Sequence, residues 1–124
     1  MADDKIKVGK FGEDYTTAFL KKSGYTIVSR NFHSKYGEID IIASKNNIIA
    51  FVEVKTRSEG SLFSPREAVD CFKQNRCIKT AQFFMLSNNT ESFQPRFDVS
   101  EIIVKKDNRN KLSVCRHEYI ENAF

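Results

Sequence analysis

The first part of the chain has the hydrophobic spacing of a helix. Its apolar positions recur every three or four residues, at Phe11, Tyr15, Ala18 and Phe19. This spacing predicts a helix over residues 5–22 with those four side chains on its buried face. Gly24 follows the last predicted turn, and glycine often ends a helix because it adopts a left-handed conformation without strain.

The next three segments have the composition of strands. Runs over 25–32, 38–44 and 48–56 contain many β-branched and aromatic residues. Asn46-Asn47 separates the second run from the third. Because asparagine tolerates positive φ better than most residues, this pair predicts a tight hairpin turn.

The rest of the chain predicts one more helix and two more strands. Ser64-Pro65-Arg66-Glu67 is typical of a helix start, with a capping serine and a proline at the first helical position. This helix is expected to run to Leu86, and strands are expected over 96–105 and 111–117. The order α-β-β-β-α-β-β predicts an α/β fold, a mixed β-sheet with helices packed against it.

The predicted hairpin brings two acidic residues together. With Asn46-Asn47 as a two-residue turn, counting outward pair by pair places Asp40 opposite Glu53 and Glu38 opposite Lys55. Side chains alternate along a strand, so all four project from one face, with opposed Cβ atoms about 4.5–5.5 Å apart.

Two carboxylates this close repel each other, and a divalent cation would relieve the repulsion. Proteins bind Mg²⁺ through one or two carboxylates together with waters and phosphate oxygens, so Asp40 and Glu53 are the candidate metal ligands. Lys55 lies on the same face as Glu53, where its ammonium would orient a water or stabilise charge on a phosphorus. This group has the chemistry that phosphodiester hydrolysis requires.

A solvated strand face is the alternative interpretation. Glu38 and Lys55 would then form an ordinary cross-strand ion pair. Asp40 opposite Glu53 is harder to explain in this way, because opposed like charges destabilise a sheet. The segments around both acids are also rich in apolar residues, as buried strands are.

Composition is typical of a soluble globular protein. The 124 residues are 40% hydrophobic and 29% charged, and we expect one domain over 1–124. No apolar run approaches the roughly 20 residues of a spanning helix, and the charged N-terminus has no secretory signal, so we expect no membrane association and a cytoplasmic location. The net charge of +4 is compatible with a polyanionic partner. The three cysteines lack metal-site spacing and are expected to be buried or half-buried thiols.

Six short motifs occur in order across nearly the whole chain. They are Gly12-Glu13, Gly24-Tyr25, Arg30-Asn31, Gly37-Glu38-Ile39-Asp40, Phe51-Val52-Glu53-Val54-Lys55-Thr56-Arg57 and Arg96-Phe97-Asp98-Val99. Together they resemble the YraN-like family of small bacterial proteins, which is similar to the archaeal Holliday junction resolvases and belongs with the PD-(D/E)XK nuclease superfamily. Ile39 stands where the superfamily motif nominally has proline, a position at which many members vary.

The resemblance implies a restriction-endonuclease-like core and a metal-dependent endonuclease that acts on DNA, in particular on branched or structured DNA. It implies that Asp40 and Glu53 bind Mg²⁺ or Mn²⁺ and that Asp40, Glu53 and Lys55 are catalytic. A resolvase-like activity also implies a homodimer, because a four-way junction needs two cuts.

Glu13 is implied as an additional acidic site residue by the resemblance alone. On the predicted helix it lies away from the apolar stripe, beside Gly9, Thr16 and Leu20. The residues by themselves favour a solvated glutamate there, although the small neighbours would also permit close packing on the sheet.

Several other residues and functions are left open. Arg57 and Lys73 are candidate phosphate contacts, and a solvated charge explains each of them equally well. His33 and His117 lack ligand spacing, and Arg96-Phe97-Asp98 is more typical of a structural strand start than of a second acidic site. A non-catalytic nucleic-acid-binding module or a protein-interaction domain that keeps the nuclease fold are the alternative functions.

Overall fold

The computed structural model describes residues 2–60 and 71–124. Its elements are α1 (Ala2–Lys22), β1 (Thr26–Ser34), β2 (Gly37–Lys45), β3 (Ile48–Ser58), α2 (Cys71–Ser87), β4 (Gln94–Lys106) and β5 (Leu112–Ile120). The predicted order is confirmed, whereas the helix start predicted at 64–67 lies outside the described residues. Within those residues no helix is long and apolar enough to cross a membrane.

The five strands form one sheet between two helices. Their spatial order is β1-β2-β3-β4-β5, and neighbours are antiparallel except for the parallel pair β3 and β4. Phe51 packs in an apolar cluster with residues of α2, whereas Val52 packs in a second cluster with Leu20 of α1. Because consecutive strand residues point to opposite faces, the two helices cover opposite sides of the sheet. The predicted mixed α/β sheet is confirmed.

The hairpin between β2 and β3 has the predicted turn and register. Asn46 has a positive φ of 56°, and Lys45 pairs with Ile48 on the other side of the turn. The pairing continues without a shift to Ile41 opposite Val52. The next pair outward would be Asp40 and Glu53.

The ladder stops at that point. The Asp40 carboxylate accepts a hydrogen bond from the backbone N–H of Val54 through Oδ2, at 2.8 Å. Ile39 and Ile41 also pack in different apolar clusters, on opposite faces, although simple alternation would put them on the same face. The regular strand geometry therefore changes at Asp40, and an acidic side chain takes the place of a backbone partner.

Glu38 does not face Lys55 as the hairpin count predicted. Because the β2–β3 pairing ends before these positions, Glu38 projects into solvent, with 66% of its side chain exposed, and lies 3.2 Å from His33 Nδ1. The predicted position of Glu38 opposite Lys55 is therefore wrong, and the ion pair of the alternative interpretation does not form.

The buried face of α1 also differs from the predicted one. Gly12, Thr16 and Leu20 are buried, whereas Ala18 is exposed and Tyr15 is 38% exposed. The predicted stripe was based on large apolar side chains. The helix instead places Gly12 and Thr16 against the sheet beside Leu20, and the small size of the first two residues brings the two backbones close together.

The contact between Gly12 and Thr56 of β3 shows how close that approach is. A Cβ atom added at Gly12 would lie 1.8 Å from Thr56 Oγ1. Thr56 Oγ1 is buried and has no hydrogen-bond partner within the part of the chain that the structure describes. One turn further along α1, Thr16 Oγ1 and Ser100 Oγ of β4 are 2.8 Å apart in a buried hydrogen bond. Small residues thus fix the position of α1 over the sheet.

Candidate active site

A cavity of about 960 Å³ opens beside the end of the β2–β3 ladder. Asp40 and Glu53 both line it, together with Glu13 from α1. The structure therefore brings three of the acidic residues considered in the sequence into one cavity, from three different elements. Lys55 joins the group through Glu53, which it contacts directly.

Glu53 is held by two lysines. Its Oε1 atom lies 2.9 Å from Lys55 Nζ and 2.5 Å from Lys73 Nζ. Burial by itself would raise the pKa of Glu53, since only 12% of its side chain is exposed. The charge of Lys55 and the hydrogen bonds from both lysines outweigh burial, so the pKa of Glu53 is lowered and the carboxylate is ionised.

Asp40 responds in the opposite direction. Burial is the largest cause and the negative charge of Glu53 is the second, and together they raise the pKa of Asp40 from 3.8 to about 7. The hydrogen bond from Val54 opposes this rise, and the charge of Glu13 adds to it. Two neighbouring carboxylates in one partly buried site thus differ in their tendency to ionise, as expected for acids that share a site.

The two lysines also differ from each other. Burial lowers the pKa of Lys55, and nearby Lys73 lowers it further, while Glu53 acts against both. Burial opposes the charge of Lys73 as well, but the hydrogen bond with Glu53 outweighs it and raises the pKa of Lys73. Only 9% of the Lys55 side chain is exposed, compared with 42% for Lys73.

The residues alone favoured a solvated Glu13, but the structure places this side chain in partly buried surroundings. Its side chain is 20% exposed, and Oε1 lies 3.6 Å from Arg30 Nη2. The close packing of Gly12 on β3 carries the adjacent Glu13 to the cavity wall. The sequence signal that points to this position is the pair of small residues Gly12 and Thr16, one helical turn apart, rather than any apolar period.

The two candidate phosphate contacts lie in different surroundings. Arg57 lines the cavity, and its Nη1 donates a hydrogen bond to the backbone oxygen of Thr56 at 2.9 Å. Lys73 lies against Glu53 instead of projecting freely from α2. Sequence spacing gave no means of placing Lys73, because α2 and β3 meet only in the folded chain.

Basic residues that sequence reasoning did not single out line the other end of the cavity. They are Lys5 at the start of α1 and Lys105 and Lys106 at the end of β4. Glu59 lines the cavity as well, so this end is mainly but not entirely basic. The only sequence signal was the adjacent lysine pair at 105–106, which is common on solvated strand ends.

Asp98 has a structural role, in agreement with the expectation for Arg96-Phe97-Asp98. Its side chain is fully buried and accepts hydrogen bonds from Arg96 Nε at 2.9 Å and Tyr119 Oη at 2.6 Å. The backbone N–H of Asn122 donates a further one at 3.1 Å. This network ties β4 to β5 and leaves no oxygen of Asp98 without a partner.

The histidines have their partners outside the acidic group, whereas Cys77 lies near enough for the charges of Glu53 and Asp40 to act on its thiol. His33 pairs with Glu38, and His117 Nε2 lies 2.9 Å from Ser100 Oγ beneath α1. Burial raises the pKa of the Cys77 thiol to about 12, which fits the expected buried thiol. Cys115 is exposed, contrary to that expectation, because it projects outward from the edge strand β5.

A family model described as "Uncharacterised protein family UPF0102" matches residues 12–102. The chain belongs to the UPF0102 family. The matched range contains the acids Glu13, Asp40 and Glu53 and the lysines Lys55 and Lys73. The resemblance to the YraN-like family that the sequence motifs indicated is thereby confirmed.

Relatives extend over nearly the full chain. A UPF0102 protein of Caldanaerobacter subterraneus subsp. tengcongensis is 44% identical over 121 residues, which covers 98% of this chain and 97% of the relative. A UPF0102 protein of Chloroherpeton thalassium is 46% identical over 96% of this chain and 94% of its own length. One from Dictyoglomus thermophilum is 40% identical over 95% and 97%, respectively.

The residues of this UPF0102 site fit a hard divalent cation. Among the described residues, no three His, Cys, Asp or Glu side chains converge as a ready-made metal site. Mg²⁺ does not require one, because it takes one or two carboxylates and completes its octahedron with water and phosphate oxygens. The rise in the pKa of Asp40 that Glu53 causes is a repulsion between two carboxylates, and a cation between them would remove it.

Proposed function

We propose that this protein is a metal-dependent endonuclease that hydrolyses phosphodiester bonds in DNA, with branched or structured DNA as its substrate. The observation that carries the proposal is the convergence of Asp40 and Glu53 on one cavity, with Lys55 in contact with Glu53. We also propose that the protein acts in the cytoplasm as a homodimer.

Asp40 and Glu53 would hold Mg²⁺ or Mn²⁺, which when bound supplies a Lewis acid for the phosphoryl oxygen and lowers the pKa of a water. Lys55 is the cation of the site with the least freedom to move, since it is buried and paired with Glu53. Its ammonium is placed to orient the attacking water or to stabilise the negative charge that builds up on the phosphorus. Glu13 lines the same cavity and adds negative charge that acts on Asp40.

The basic end of the cavity supports a polyanionic substrate. Lys5, Arg57, Lys105 and Lys106 line the same cavity as the acids. If one phosphodiester of a DNA strand lies at the acids, the strand would continue along a surface that attracts its neighbouring phosphates. This arrangement also supports the alternative of a non-catalytic DNA-binding module. Such a module would bind DNA along the same surface, but Asp40 and Glu53 would not support its hydrolysis.

Removal of two of these lysines is expected to weaken DNA binding in a salt-dependent manner. For Lys5→Ala/Lys105→Ala we expect the slope of log K against log salt concentration to fall by roughly 1 for each lost contact. Fluorescence anisotropy at several salt concentrations measures this slope. The matched control is Lys21→Ala/Lys22→Ala, which removes two exposed lysines in the last turn of α1, away from the cavity. Equal slopes for the two double variants would argue against a DNA path along the cavity.

A cleavage panel tests the proposed activity directly. Linear, nicked, flapped and four-way junction DNA are incubated with the protein and Mg²⁺ or Mn²⁺, and we expect cutting of at least one branched substrate. Glu53→Gln is expected to reduce cutting by about 100-fold or more, since it removes a metal ligand and the partner of Lys55. The matched control is Glu38→Gln, which makes the same change at an exposed acid outside the cavity. DNA binding without cleavage of any substrate would favour the binding module.

A further inference from the structure

One oxygen of Glu53 receives two ammonium groups. Lys55 Nζ and Lys73 Nζ both lie within 3 Å of Oε1, at 2.9 and 2.5 Å. One ammonium is enough to pair with one carboxylate oxygen, so the second lysine adds a further positive charge at the oxygen that a metal would use, and the charge of Asp40 also acts on Lys73. The two lysines come from different layers of the fold, Lys55 from β3 and Lys73 from α2 on the face above it.

The two ammonium groups oppose a cation at the same carboxylate oxygen. A divalent cation that approaches Glu53 would meet an ammonium already in contact with Oε1. Lys55 is almost fully buried and cannot leave without loss of its packing. The Lys73 side chain is 42% exposed, and its four-carbon stem allows the ammonium to move while the helix stays in place.

We propose that Lys73 is a displaceable counter-ion of the active site. It neutralises Glu53 when no metal is bound, moves from the carboxylate when a divalent cation arrives, and then contacts the phosphate that the cation brings with it. This inference rests on the proposed function for its second half. The contact partner of Lys73 thus changes from the Glu53 carboxylate to a substrate oxygen.

An ordinary structural ion pair that ties α2 to β3 makes the opposite prediction for metal affinity. If Lys73 only held Glu53 in its orientation, removal of the lysine would misplace the carboxylate and weaken metal binding. If Lys73 competes with the metal, removal of its charge strengthens metal binding. The sign of the change therefore separates the two roles.

Lys73→Met tests this sign because it keeps the apolar stem and removes the charge. We expect Mn²⁺ alone to bind Lys73→Met about 3- to 10-fold more tightly than the parent in calorimetric titrations at low salt, the effect of deleting one charge near a dication. We expect kcat for cleavage to fall about 10- to 100-fold in the same variant, because one cation is lost at the phosphate. Lys79→Met, which removes an exposed lysine from the same helix, should change neither quantity.

Conservative replacement provides a second readout. Lys73→Arg keeps the positive charge and is expected to bind Mn²⁺ like the parent and to recover most of the lost kcat. Thermal melts confirm that each variant is folded, and Lys73→Gln replaces Lys73→Met if the latter does not fold.

Each outcome has a distinct meaning. Unchanged or weaker Mn²⁺ binding by a folded Lys73→Met variant would overturn the counter-ion role. Tighter Mn²⁺ binding with unchanged kcat would support displacement by metal and overturn the contact with phosphate. If the parent cuts no DNA at all, the proposed function fails, while the Mn²⁺ titration still decides whether Lys73 competes with the metal.

Discussion

Asp40→Asn is expected to abolish DNA cleavage and at the same time to stabilise the protein in the absence of metal at pH 8. The loss of cleavage follows from the loss of one of two carboxylates that would hold the cation. The gain in stability follows because an asparagine keeps an oxygen that can accept the hydrogen bond from Val54 and removes a charge that burial and Glu53 disfavour. The combination distinguishes a site residue from a residue that supports the fold.

The pH dependence has a definite sign. The pKa of Asp40 is raised from 3.8 to about 7 in the folded chain, so between these values the folded state holds a proton that the unfolded state has released. The contribution of Asp40 to the free energy of unfolding therefore falls as pH rises through this range. The linkage amounts to about 2 kcal/mol at pH 5 and about 4 kcal/mol at pH 8, and the gain from Asp40→Asn should grow accordingly.

Urea denaturation with a chelator at pH 5 and pH 8 measures this gain. Glu38→Gln serves as the control, because its carboxylate is exposed and outside the cavity. With Mg²⁺ present the parent should gain stability that Asp40→Asn does not, since only the parent has both carboxylates for the ion. If Asp40→Asn were less stable than the parent at pH 8, the ionised Asp40 would support the fold. The argument that repulsion between Asp40 and Glu53 favours a bound metal would then be lost.

Gly12→Ala is expected to destabilise the protein by about 3 kcal/mol, because the new Cβ has no room between α1 and β3. It would lie 1.8 Å from Thr56 Oγ1 and 2.9 Å from Thr56 Cβ, so the helix must move away from the strand. The movement would also displace Glu13, the next residue, from the cavity wall. We therefore expect lower cleavage activity even under conditions in which the variant is folded.

Gly9→Ala is the matched control for this prediction. Nothing lies within 4 Å of a Cβ at Gly9, and alanine favours a helix over glycine by about 1 kcal/mol. Gly9→Ala should therefore raise the midpoint of thermal unfolding, while Gly12→Ala lowers it. Addition of Thr56→Ala to Gly12→Ala should recover part of the loss, because it removes the colliding Oγ1, which has no hydrogen-bond partner among the described residues. Equal effects of the two glycine variants would contradict the close approach of α1 to β3.

Local features of the chain were predictable because each depends on neighbours in sequence. The turn at Asn46-Asn47 follows from the tolerance of asparagine for positive φ, and it fixes the register of β2 and β3 as far as Ile41 opposite Val52. Alternation along the hairpin then indicated that Asp40 and Glu53 would approach each other. The order of the helices and strands was predictable in the same way, from the change in hydrophobic spacing between segments and from the turn residues that separate them.

The failures arose from contacts that hydrophobic spacing and strand alternation do not encode. Hydrophobic spacing selected only part of the buried face of α1, since Phe19 packs on the sheet but Tyr15 and Ala18 are exposed. The closest contact is made by Gly12 against Thr56, which lies far along the chain. The predicted Glu38–Lys55 pair was wrong because the ladder stops where the Asp40 side chain takes the N–H of Val54. Neither event is a property of a single segment.

The sequence by itself determined the elements, the hairpin register and the family, since these depend on local conformation and on motifs in order along the chain. Only the tertiary structure decided the surroundings of the acids. Packing of α2 on one face of the sheet brought Lys73 to Glu53, and packing of α1 on the other side brought Glu13 to the same cavity. The charges and burial that shift each pKa come from these long-range contacts, so the electrostatics of the site exist only in the folded chain.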